Sequence, residues 1–140
     1  SINDPHAALA VAIDLGEPVD IHPLRKKEVA ERIGQCFDWL VFGKKVTLSP
    51  QPVRATIEGN QVIVTFDQSL QEGEQKEFEL AGTDKQFIIA TATAKDDKVI
   101  IDCAISNPAI VRYAWKDSPI ASLRSKKDLP ASPFEITITK

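Results

Sequence analysis

The sequence predicts a mainly β protein: an antiparallel β-sandwich of about seven strands over residues 44–140, preceded over residues 1–43 by the terminal strand, loop and helix of an α/β domain. Three observations lead there. Apolar residues recur with the period of a helix only between Pro23 and Gly43. Beyond Gly43 the chain breaks into short β-like runs separated by turn residues. At the other end, "ALAVAID" at residues 8–14 is apolar throughout until its carboxylate, as in a strand covered on both faces of a parallel sheet.

That first run is ended by Gly16 and Pro18. The helix follows: Val29, Ile33, Cys36, Phe37 and Leu40 form one stripe, while Lys26, Lys27, Glu31 and Arg32 are expected on the solvated side. Pro23 suits the first helical turn and Gly43 the position just past the end. "PVRATIE" and "QVIVTFD" then flank Gly59-Asn60, a turn pair suited to a tight hairpin. Further strands are expected at "KEFELAG", "QFIIATAT", "KVIIDCA", "AIVRYAW" and "FEITIT". A long segment from Lys116 to Pro133, rich in Ser, Pro and Lys, separates the last two and reads as a charged loop.

A lone strand and helix cannot form a parallel sheet, which needs neighbours reached by crossovers. The N-terminal unit therefore reads as the end of a larger domain, and the chain as the C-terminal part of something longer. With 140 residues, 43% of them hydrophobic, there is material for one packed core. Seventeen basic against 20 acidic residues, with no basic block beyond three, gives no electrostatic support for nucleic acid. No apolar stretch approaches the roughly 20 residues that span a bilayer, so no membrane partner is expected. Cys36 and Cys103 read as free thiols, and neither His6 nor His22 has a second ligand at metal spacing, so no metal and no cofactor are expected.

The chemistry-bearing residues gather between 14 and 22. Asp14 closes the apolar run, and Asp20 and His22 share the loop before the helix. A carboxylate and a neutral imidazole together can activate a nucleophile, the carboxylate fixing the tautomer and stabilising the imidazolium. They cannot supply one. The competing reading makes His22 a capping or packing residue at a helix start, and whichever aspartate is unused a cap. Tyr113 and Trp115 alternate with Arg112 and should share one face, as core or as a sugar-stacking platform. Arg112 points the other way, toward a salt bridge or a substrate carboxylate.

The stretch "AVAIDLGEPVDIHPLRKKEVAERI" resembles the end of the catalytic domain in bacterial sialate O-acetylesterases of the SGNH-hydrolase group, and "NPAIVRYAWKDSPIASLRSKKDLPASPF" resembles their C-terminal region. The resemblance implies an SGNH-like origin for residues 1–43 and an accessory β-domain for the rest. It also implies hydrolysis of acetyl esters on O-acetylated sialic acid by a serine, in a secreted or periplasmic setting. It places His22 as the general base, with Asp20 the first choice of orienting carboxylate and Asp14 the alternative. The group usually sets its acid three residues before the histidine, where this chain has Val19. No serine here lies in a Gly-x-Ser turn, so the nucleophile is expected on an upstream portion of the catalytic domain and the chain alone is expected to be inactive.

Overall fold

The computed structural model describes residues 4–139. Its elements are α1 (Lys26–Phe42), β1 (Pro52–Glu58), β2 (Gln61–Phe66), β3 (Gly73–Ala81), β4 (Ile88–Lys95), β5 (Lys98–Asp102), β6 (Ile110–Tyr113) and β7 (Phe134–Thr139). All seven expected strands are present. Gly43 ends α1 in the left-handed region at φ 61°, where its missing Cβ costs nothing, and its N–H bonds the Asp38 carbonyl. Gly59, at φ 60°, turns the β1–β2 hairpin so that Glu58 faces Gln61.

Two expectations about the strands change. The strands do not form two facing sheets; they close into one barrel in the order β1-β2-β5-β4-β3-β6-β7. Closure comes from β7, antiparallel to β6 and parallel to β1, with Ala55 facing Ile138 and Thr56 facing Thr139. The Thr139 hydroxyl adds a 3.0 Å bond to the Ala55 carbonyl. Alternation of inward and outward side chains is the same for a sandwich and a barrel, so the sequence pattern could not separate them. The second change concerns residues 8–14. Residues 7–12 belong to no strand, because no parallel neighbour lies beside them. They run instead along α1, where Arg32 Nη1 donates to the Val11 carbonyl at 2.6 Å. Val11 and Leu15 are buried.

The barrel interior fits its narrow bore by mixing sizes: Ala55, Ala92 and Ala94 sit among Val62, Val64, Val99, Ile101 and Leu80. One end is filled by Phe78, Tyr113 and Phe134, with ring centroids 4.9 to 6.1 Å apart, and Phe66 packs edge-on against Phe134 at 5.8 Å. Such aromatic contacts add to the area they bury. Tyr113 lies in this core, but Trp115 does not share its face. Ala114 takes a φ of +54° and its N–H bonds the Glu77 carbonyl, which breaks the alternation and leaves Trp115 half-exposed. Arg112 faces outward, bonds Glu79 at 2.6 Å and stacks 3.5 Å over the Phe87 ring.

The segment from 116 to 133 is more than a charged loop. Leu123, Ser125 and Ala131 are fully buried beneath the barrel end, and the Leu123 N–H donates to the Tyr113 hydroxyl at 3.0 Å. Tyr113→Phe will strand that buried donor and cost about 1–3 kcal/mol. The shift in urea midpoint, together with faster amide exchange at Leu123, checks this; an unchanged midpoint would mean that packing alone holds the segment.

Candidate active site

The loop between residue 14 and α1 holds the three residues singled out from the sequence, and the structure gives them two different environments. Asp20 and His22 lie in the open: their side chains are 58% and 78% exposed. The Asp20 carboxylate oxygen Oδ1 accepts the His22 backbone N–H at 2.8 Å, the local bond by which an aspartate closes a turn on the residue two further on. The same oxygen stands 3.4 Å from His22 Nδ1. That separation is longer than a good N–H···O bond. The loop is narrowed by an antiparallel bridge between Glu17 and Asp20.

Asp14 is engaged elsewhere. Its carboxylate, 9% exposed, accepts both terminal nitrogens of Arg32, at 2.5 and 2.9 Å. Its Oδ2 also accepts both terminal nitrogens of Arg124, at 2.9 and 2.8 Å. Burial alone would raise the Asp14 carboxyl, but the Arg32 hydrogen bonds and the charges of Arg32 and Arg124 outweigh it and hold the group below the ordinary Asp range. Asp14 therefore remains ionised, with its acceptor sites spent on guanidinium groups. Sequence reasoning missed both arginines. Arg32 was expected in solvent, yet its side chain is 12% exposed. The available signal was its position three residues after Val29 and four before Cys36, at the edge of the apolar stripe. Arg124, 110 residues from Asp14, had no local signal at all.

A cleft of about 530 Å³ opens beside this cluster. One wall is Asp14, Gly16, Glu17 and Pro18; the other is Asp117, Pro119 and Arg124 from the segment after β6. The cleft can admit a polar ligand against Asp14 and Arg124, but neither Asp20 nor His22 lines it. Among the described residues no nucleophile is hydrogen-bonded to the His22 side chain, which approaches the Asp20 carboxylate.

Around the site, apolar side chains stand uncovered. Of the expected α1 stripe, Cys36 is buried while Ile33, Phe37 and Leu40 are exposed, together with Val41 and Phe42. In the loop Val19, Ile21 and Leu24 are almost wholly exposed. Large apolar groups on adjoining turns of one helix are ordinarily covered by another element.

These features define a β-barrel with an attached helix and an exposed loop on which Asp20 and His22 stand side by side. No family model and no curated protein matches the chain. Among solved structures it is similar to a novel carbohydrate acetylesterase from Xanthomonas citri, at 35% sequence identity and a TM-score of 0.78, over 87% of this chain and 30% of that one. The chain thus spans under a third of the length of the acetylesterase it resembles.

Proposed function

We propose that the chain is the C-terminal part of a serine-dependent carbohydrate O-acetylesterase, residues 1–43 ending its SGNH-like catalytic domain and residues 44–140 forming an accessory barrel. The observation that carries this reading is the likeness to a carbohydrate acetylesterase at 35% identity over 87% of the chain. The open loop with Asp20 within reach of His22 supports the site assignment. O-acetylated sialic acid is the substrate favoured by the resemblance in the loop and tail sequences.

In this reading an upstream serine attacks the acetyl carbonyl, and His22 takes its proton through the nitrogen not facing Asp20. The imidazolium then returns that proton to the sugar oxygen as it leaves, and a second cycle with water frees acetate. Asp20 orients the ring and stabilises its charge. Asp14 is supported as a structural residue, because its oxygens are occupied by Arg32 and Arg124. The uncovered face of α1 supports an upstream portion of the catalytic domain as its cover. Docking without catalysis, on a carbohydrate-binding or partner-binding barrel, is the second reading, and the same apolar face is its support.

The test joins the chain to its upstream sequence and measures acetate released from O-acetylated sialic acid and from acetylated neutral oligosaccharides. Release by the joined protein and none by the 140-residue chain is expected. A correctly folded joined protein without release from any acetylated sugar would overturn the enzymatic reading and leave the docking one.

A further inference from the structure

We propose that Arg124, on the barrel, is a positioning residue for the loop that carries His22; the inference rests on the assignment of His22 as the base. The loop is closed at its root by Asp14. Arg25, at the start of α1, reaches back to the Asp14 carbonyl at 3.5 Å, and Leu15, buried, donates its N–H to the Ala12 carbonyl at 3.0 Å. What holds Asp14 in turn comes from two directions. Arg32 belongs to the same N-terminal unit, so it moves with the loop. Arg124 does not: it is the ionic tie from Asp14 to the barrel.

Arg124 is itself fixed at both ends. Its carbonyl accepts the Gln71 N–H at 2.9 Å, its neighbours Leu123 and Ser125 are fully buried, and its Nε donates to Asp128 at 3.0 Å. A guanidinium so constrained transmits the position of the barrel rather than adapting to the loop. Because it also lines the cleft between residues 14–18 and 117–121, it sets the spacing of the two walls. A displacement of about 1 Å in such a loop is enough to cost a catalytic base much of its rate.

The experiment compares Arg124→Gln and Arg124→Lys with the parent in two settings. In the 140-residue chain, amide exchange at Leu15 and His22 should quicken about tenfold or more in Arg124→Gln, while amides of β2 and β5 stay within about twofold. Arg124→Lys should restore part of the protection. In the joined acetylesterase, Arg124→Gln should lower kcat about tenfold or more with KM within about twofold, and the lysine variant should recover part of kcat. Unchanged exchange at both amides, equal quickening across the barrel, or quickened loop exchange with unchanged kcat would each overturn the proposal. Failure of the base assignment reads differently: His22→Ala would then keep its turnover, whatever Arg124→Gln does to exchange.

Discussion

His22→Ala in the joined protein will lower kcat/KM for acetyl release by about a thousandfold or more, because general-base catalysis and the activation of the nucleophile are lost together. The fold should survive. The imidazole is largely in solvent, and the loop's local bond uses the backbone N–H of residue 22, which alanine keeps. Circular dichroism and urea midpoint should therefore match the parent while acetate release falls. Asp20→Asn should fall less steeply, since an amide can still bond the ring but cannot stabilise its charge. Turnover undiminished in His22→Ala would move the base to another residue.

Asp14→Ala will act on structure. It leaves Arg32 and Arg124 facing each other without the carboxylate they share, and losing charge-assisted bonds from a partly buried cluster costs about 1.5–3 kcal/mol. The loss should appear as detachment of residues 7–22, read by limited proteolysis, with the barrel still folded. The same group dictates a pH dependence. Its folded pKa is depressed, so its contribution is fully present above the ordinary Asp value near 3.8 and is lost as pH falls through the lower folded value. Acidification below about pH 4 should free the N-terminal segment of the parent, whereas Asp14→Asn should show no such step in that window.

How much of this was legible depended on the range of the determining contact. The hairpin from Pro52 to Phe66 was readable because Gly59-Asn60 and the flanking alternation are local. The end of α1 was readable from Gly43. Barrel closure was not, since it depends on β7 finding β1 some eighty residues earlier, and nothing in either strand's pattern distinguishes that pairing from an open edge. Trp115 was misplaced because a left-handed alanine at 114 has no signature in the sequence. In the candidate site, His22 and Asp20 stood out through their spacing. The true partners of Asp14 did not, because one guanidinium comes from a helix face expected to be wet and the other from a segment that reads as ordinary surface.

The way the barrel is sealed also bears on how it is made. Residues 134–139 must be synthesised before the first β-strand gains its second neighbour, so on the ribosome the nascent barrel keeps an unprotected edge until those residues have emerged. Maturation of such a protein would be limited by its final strand, and removal of that strand should send the chain toward aggregates rather than toward a smaller stable domain.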